Sequence, residues 1–331
     1  MKPKAPTELS RRMMLAGVAM MATSPSRADD CQIGPFPHHK GPTVFMDYDQ
    51  VELDAAYDQL SYEPLIGQVS KRLASNSEAV RARLGAPQRV SYGATGIEKL
   101  DIYRTKGPAA PIFVVIHGGA WLEGSAKDCG FAAETFVNAG AHYVALDFIG
   151  VKDAGGDLDV LAAQVRRAIA WIYKNASSFS GDPQKIYISG HSSGGHLCGV
   201  ALVTDWEKEF GLPADAVKGG LCMSGMYEMT PVRLSWRRSY VSFTDAMAEA
   251  MSPIRHIDKL VAPVVVSYGT FETPEFQRQG REFSAAVKAA GKSVDLIEAP
   301  NYAHNETLES LGNPYGPNGR AALAMMKLAP A

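Results

Sequence analysis

Gly190-His191-Ser192-Ser193-Gly194 sets a serine between two glycines at G-x-S-x-G spacing. A serine hydroxyl is a weak nucleophile until a histidine stands close enough to take its proton. The spacing from the two glycines selects Ser192 over its neighbour Ser193. In isolation, five such residues also suit a glycine-rich turn with an incidental serine. The surroundings favour chemistry: the short β-rich run Lys185–Ser189 leads in, and the apolar helical run Leu197–Val203 leads out. A strand, a sharp turn and a helix lift a hydroxyl clear of a sheet, and crowding at such a turn demands small flanking residues. The Ser193 N–H, at the helix start, then faces the place where an oxyanion forms, and the helix dipole adds to its pull.

A second element stands upstream. His117-Gly118-Gly119-Ala120-Trp121 follows the unbroken run Ile112–Ile116. Two glycines allow the backbone to approach a substrate and present N–H groups, so Gly118 and Gly119 are candidates for the rest of an oxyanion hole. His117 reads as a residue that braces this loop. Folds built on a serine elbow run nucleophile, acid, base along the chain. Of eight histidines, His304 alone lies beyond residue 256, just past the run Val294–Pro300. It is the candidate base. His191 and His196 flank the serine in sequence, and His196 reads as packing beneath the helix. His38, His39 and His142 read as surface or structural. The acid should follow Val264–Tyr268, where the loop Gly269–Glu275 holds no aspartate. Glu272 is the first candidate and Glu275 the reserve; the alternative for either is a solvated charge at the start of a helix over 274–289.

These residues need a scaffold with strand ends close together. Val90–Tyr92, Leu100–Tyr103, Ile112–Ile116, Tyr143–Phe148, Ile186–Ser189, Val217–Met223, Val264–Tyr268 and Val294–Ile297 are β-rich stretches, several without a polar break. Such runs mark strands covered on both faces. Helical patterns alternate with them, clearest over 158–174, where Leu158, Leu161, Ala162, Val165, Ile169 and Ile172 share a face. The expected fold class is α/β: a mostly parallel eight-stranded sheet with helices on both faces. A helical cap element is expected over 50–84 and an inserted pocket or cap segment over 224–258. Trp121, Tyr57, Met226, Tyr227 and Trp236 are candidates for an apolar substrate pocket, with Met229 and Tyr240 nearby.

The net charge of −2 and the absence of a basic stripe exclude a nucleic-acid partner. Beyond the N-terminus no apolar run is long enough to span a bilayer, so no membrane partner is expected. No HExxH, phosphate loop or dinucleotide fingerprint is present, so neither metal nor cofactor is expected. Ser10-Arg11-Arg12 precedes a short apolar run, Met13–Ala22, and the small-x-small triplet Ser26-Arg27-Ala28. That is the layout of a twin-arginine export signal over 1–28, with cleavage after Ala28 and a periplasmic protein over 29–331. Cleavage would remove five cationic residues and one acidic one, leaving a net charge of −6. Residues 29–43 read as a loose lead-in. Cys31, Cys129, Cys198 and Cys222 allow one or two disulfides in an oxidising compartment, with no pairing preferred.

The pieces together are recognisable. His117–Trp121, Gly190–Leu197, Ser252–His256, Glu272–Gln279 and Asn301–Leu311 resemble the kynurenine formamidase (arylformamidase) branch of the α/β-hydrolases, which borders the HGG-motif esterases. The resemblance covers roughly residues 50–325. It implies Ser192 as nucleophile, Glu272 as acid, His304 as base, and Gly118, Gly119 and Ser193 as oxyanion hole. Ser193 stands where that family usually has alanine, and Asn305 follows the histidine in place of an aromatic or acidic residue. The expected activity is hydrolysis of a small-molecule ester with a small acyl group and an aryl or moderately bulky leaving group. Arylformamide or amide hydrolysis is the alternative. A non-catalytic binding protein on the same fold is a remote third, since such proteins typically lose the serine or the histidine.

Overall fold

Eight strands form one sheet in the order β1-β2-β4-β3-β5-β6-β7-β8. They are β1 (Gln88–Ser91), β2 (Lys99–Tyr103), β3 (Ala110–Ile116), β4 (His142–Leu146), β5 (Gly181–His191), β6 (Gly219–Met223), β7 (Val264–Gly269) and β8 (Val294–Ala299). Strand β2 runs antiparallel to both its neighbours; the pairs from β4 through β8 are all parallel. The computed structural model describes residues 37–331. The expected export signal, its cleavage point after Ala28, and Cys31 lie outside the described residues.

The sheet is covered on both sides, and its central strand β3 carries apolar residues along its whole length. Along β3, Ile112, Val114 and Ile116 enter one core while Phe113 and Val115 enter the other. Period-2 alternation sends successive side chains to opposite faces, so an unbroken apolar run serves two cores at once. Helices α4 (Leu158–Asn175), α5 (Ser193–Leu202) and α9 (Pro274–Ala289) fill the first core. Helices α2 (Ile66–Leu84), α3 (Ala133–Asn138) and α11 (Pro317–Met325) fill the second.

The helical stretch expected over 50–84 is broken. Helix α1 (Gln50–Ala56) ends well before α2 begins, with a 3-10 turn over Gln59–Ser61 between them. Pro64 keeps α2 from reaching further back along the chain, since proline restricts the residue before it to non-helical backbone. The segment 224–258 holds two short helices, α7 (Met229–Leu234) and α8 (Asp245–Ala250), and two 3-10 turns, Trp236–Ser239 and Pro253–Lys259. The remaining helices are α6 (Trp206–Phe210) and α10 (His304–Glu309). Cys129, Cys198 and Cys222 are buried free thiols, so the pairing left open by the sequence yields no bond among these three. Among the described residues no helix is long and apolar enough to cross a membrane.

Candidate active site

Parallel strands leave their carboxyl ends at one edge of the sheet, where the following loops converge. Here β3 leads into His117–Gly119, β5 into Ser192, β6 into Ser224, β7 into Glu272 and β8 into His304.

Ser192 sits directly after β5 with φ 57° and ψ −123°, a backbone region that side-chain-bearing residues avoid. Its N–H donates to the Met223 carbonyl at 2.9 Å, which ties the turn to the end of β6. The flanking glycines are sterically required. A Cβ on Gly190 would stand 2.0 Å from the Gly194 carbonyl oxygen, and one on Gly194 would stand 2.2 Å from the Ile116 carbonyl oxygen. The β3 loop lies against this elbow, since a Cβ on Gly118 would come within 3.3 Å of the Ser192 Cβ. No backbone carbonyl among the described residues takes the N–H of Gly118, Gly119 or Ser193. Other non-glycine residues at positive φ cluster in the same loops: Ala120, Trp121, Ser224 and Asn301.

His304 opens α10 and is nearly fully buried. Its Nδ1 lies 2.7 Å from Glu272 Oε2. Glu272 Oε1 accepts from the Gly269 N–H and the Ser224 hydroxyl, both at 2.6 Å. Ser224 Oγ also meets Thr307 Oγ1 at 2.9 Å, and Thr307 Oγ1 donates to the His304 carbonyl at 2.7 Å. The carboxylate is thus held from three elements. Burial pushes the Glu272 carboxyl up, while the Gly269 N–H and the Ser224 hydroxyl pull it down. Burial, followed by the Arg237 charge, pushes the His304 imidazole down. A lowered imidazole pKa leaves His304 unprotonated near neutral pH, which a general base requires.

Ser192 Oγ makes no hydrogen bond to His304 among the described residues, yet both line one cavity of about 640 Å³. Contacts of this kind commonly tighten only around substrate. Gly118, Gly119, His117 and His191 share the wall. His191 Nε2 lies 2.9 Å from the His304 carbonyl oxygen, with the two rings 4.4 Å apart. Burial and the neighbouring His304 push the His191 imidazole down to about 3, so it acts as a neutral strut. His117 stacks on Phe148 at 4.0 Å and its Nδ1 meets the Gly118 carbonyl at 2.9 Å. His196 Nε2 lies 2.8 Å from the Met251 carbonyl oxygen, below the helix and away from the cavity.

The reserve acid is engaged elsewhere. Fully buried Glu275 receives the Tyr57 hydroxyl at 2.9 Å and a two-pronged contact from Arg278, each prong 2.7 Å. The expected pocket needs a larger correction. Tyr57 and Trp236 do line the cavity, but Trp121, Met226 and Tyr227 do not. Trp121 is buried, with its indole N–H directed at His196 Nδ1 at 3.2 Å. Tyr227 is buried against Phe283, stacked at 4.3 Å, and Met226 lies fully inside the same core. Met226 and Tyr227 follow β6 closely enough to pack on the sheet rather than over the cavity. The apolar wall comes instead from Leu60, Ile66, Leu73, Leu122, Phe131 and Leu308, several of them on or near α2.

Ser224, Thr307 and Arg237 are absent from the sequence reading. Ser224 had a usable signal, a serine placed directly after a β-run as Ser192 is. Arg237 carries no such signal, since it stands beside Arg238 in a segment whose pattern is mainly apolar. Asn305, which follows His304, gives its N–H to Glu63 at 3.0 Å and its Nδ2 to Ser70 at 3.1 Å. The helical region before the sheet thereby braces the histidine loop.

Comparison with known proteins agrees with this architecture. The BD-FAE family model matches residues 100–221, from β2 through the elbow into β6. The kynurenine formamidase of Danio rerio is 30% identical over 278 residues, covering 80% of this chain and 92% of that protein. Esterase LipQ of Mycobacterium tuberculosis is 28% identical over 238 residues, covering 65% of this chain and 56% of that protein. The solved structure of a hyperthermophilic esterase from Pyrobaculum calidifontis superposes with a TM-score of 0.66 at 17% identity, covering 80% of this chain and 93% of that one; this shows the fold. The chain is a hydrolase and belongs to the kynurenine formamidase family of the α/β-hydrolase superfamily.

Proposed function

We propose that this hydrolase removes a small acyl group from an aryl or moderately bulky leaving group through an acyl-enzyme on Ser192. The observation that carries the reading is the buried Glu272–His304 contact at 2.7 Å, opening onto the cavity that Ser192 also lines. His304 takes the Ser192 proton as Oγ attacks the acyl carbon. The Gly118, Gly119 and Ser193 N–H groups receive the oxyanion. His304 returns the proton to the departing oxygen or nitrogen. Water, deprotonated by the same imidazole, then attacks the acyl-enzyme and frees the acid.

A small acyl group is supported by the cavity, whose volume suits one compact ligand and over which no long apolar helix lies among the described residues. An ester is the leading reading, since an alkoxide or phenoxide leaves with less help than an amine. The formamide is the second reading, favoured by the similarity to the Danio rerio enzyme over most of both chains. Comparing kcat/KM for phenyl acetate, the matching long-chain ester and N-formylkynurenine decides between them. The acetate should lead. A formamide ahead by more than about tenfold, or roughly 1.4 kcal/mol in the barrier, reverses the order. A lead for the long-chain ester removes the small-acyl reading altogether.

Export through the twin-arginine route is a separate proposal, resting on Ser10-Arg11-Arg12, the apolar run after it and Ala28. Replacing Arg11 and Arg12 by lysine should retain active precursor in the cytoplasm. Recovery of the wild-type chain from the cytoplasm with Met1 intact would contradict it.

A further inference from the structure

Glu63 stands between the 3-10 turn Gln59–Ser61 and α2, and it is only 3% exposed. Its backbone is tied on both sides. Its N–H donates to the Gln59 carbonyl at 2.8 Å, and its own carbonyl accepts from the Ile66 N–H at 3.0 Å. A fixed loop therefore carries the carboxylate. Oε2 accepts the Asn305 N–H at 3.0 Å. The first N–H groups of a helix have no acceptor within it, and Asn305 is the second residue of α10, directly after His304. This bond thus holds the stretch of chain from which the imidazole projects. The Asn305 side chain adds a second tie through Ser70, whose hydroxyl bonds the Ile66 carbonyl at 2.9 Å.

Holding a loop does not require a buried carboxylate. A neutral oxygen would accept the same N–H at lower cost, because a buried charge is expensive unless it is paired. Glu63 Oε1 has no hydrogen-bond partner among the described residues. Arg72 of α2 acts on the carboxylate but is itself engaged by Glu309 through two contacts of 2.6 Å. The other charges that reach Glu63 are Glu306 of α10 and Glu272 of the loop after β7, both of its own sign. Burial first, then these two charges, push the Glu63 carboxyl up to about 7, against the pull of the Asn305 N–H. The influence is mutual. A negative Glu63 raises the proton affinity of Glu272, and so of the pair that Glu272 makes with His304 at 2.7 Å. Arg237 pushes the opposite way on His304, and the neutral His191 adds no charge.

We propose that Glu63 is a positioning residue of this active site: it fixes the His304 loop through Asn305, and its charge favours the protonated form of the His304–Glu272 pair. This rests on the proposed acyl transfer for the step in which the pair becomes protonated. Glu63 does not line the cavity, so its effect belongs to the chemical step and not to substrate binding.

Glu63→Gln keeps an acceptor oxygen for Asn305 and removes the charge; Glu63→Ala removes both. Turnover of phenyl acetate by the full chain is followed over about pH 5–9 and expressed per active site, counted with a fluorophosphonate. For Glu63→Gln, kcat should fall about three- to tenfold with KM unchanged, since a less basic imidazole takes the serine proton less readily. The acid limb of kcat/KM should move to lower pH by about half a unit or more. Glu63→Ala should show the same displacement with a larger loss of kcat; if it does not fold, Glu63→Gln carries the test. The His304 ring resonance, assigned with a His304→Gln variant, should shift its titration the same way with no substrate present. A Glu63→Gln profile and resonance that match wild type overturn the proposal, as does a limb displaced to higher pH. A loss confined to Tm or to the number of active sites, with kcat per site intact, overturns it too, because the residue would then serve folding alone. A displaced resonance in a protein that leaves phenyl acetate intact would keep the hold of Glu63 on the pair and remove the acyl-transfer reading instead.

Discussion

Ser192→Ala should abolish hydrolysis of a simple aryl acetate, with kcat falling by about 10⁴-fold or more, while Ser193→Ala keeps most of the activity. The asymmetry follows from which atoms each residue brings. In the proposed mechanism Ser192 supplies the attacking oxygen from the strained turn after β5. Ser193 brings its backbone N–H, which alanine retains. Treatment with a fluorophosphonate should leave the phosphorus on Ser192 when the adduct is located by mass spectrometry. Equal losses in the two variants, or an adduct at another residue, would mean that the elbow has been misassigned.

The second large effect concerns the two glutamates. Glu272→Gln should lower kcat by about 10³- to 10⁴-fold with little change in KM, because an amide neither holds the imidazole in the required tautomer nor stabilises the imidazolium that forms. Glu275→Gln should act on stability. Its carboxylate joins Tyr57 of the cap region to Arg278 of α9 in a buried cluster, and weakening such a pair costs about 1–3 kcal/mol when a polar isostere remains. Thermal unfolding and active-site titration separate the two cases, since activity per intact site is the quantity that must differ. A Glu275→Gln enzyme with a normal Tm and a collapsed kcat would place the acid one helical turn further on.

The sheet was readable because most of its buried strands carry an apolar run, although β5 begins earlier than its run, at Gly181, and opens with the polar Asp182, Gln184 and Lys185. Chain order was enough to separate His304 from seven other histidines, and the structure puts it beside Glu272. The pocket was harder to read, for a physical reason. Aromatic and methionine side chains suit a ligand wall and a protein core equally well, and composition carries no direction. Tyr227 and Met226 follow β6 too closely to leave the core, whereas Trp236 lies far enough along the excursion to reach the cavity. The break between α1 and α2 is hidden by the helical spacing of Leu53, Ala56, Tyr57 and Leu60, which runs past the end of α1 at Ala56. Arg237 shows the opposite limit. A charged residue between aromatics reads as surface until the fold shows that two indoles and a tyrosine have closed around it.

The positive-φ residues around the cavity set a limit on how far this enzyme could be made more robust without loss of function. Ser192, Ser224, Ala120, Trp121 and Asn301 each hold a conformation that side-chain-bearing residues adopt reluctantly, at about 1–3 kcal/mol apiece. Even the lower figure, taken over five positions, is comparable with the whole margin of about 5–15 kcal/mol by which domains usually stay folded. Relaxing these turns should raise the melting temperature and, under the proposed mechanism, misalign Ser192, Glu272 and the Gly118 and Gly119 N–H groups in the same stroke. Gains in durability therefore have to come from the sheet and the outer helices, where a substitution can be accepted on packing alone.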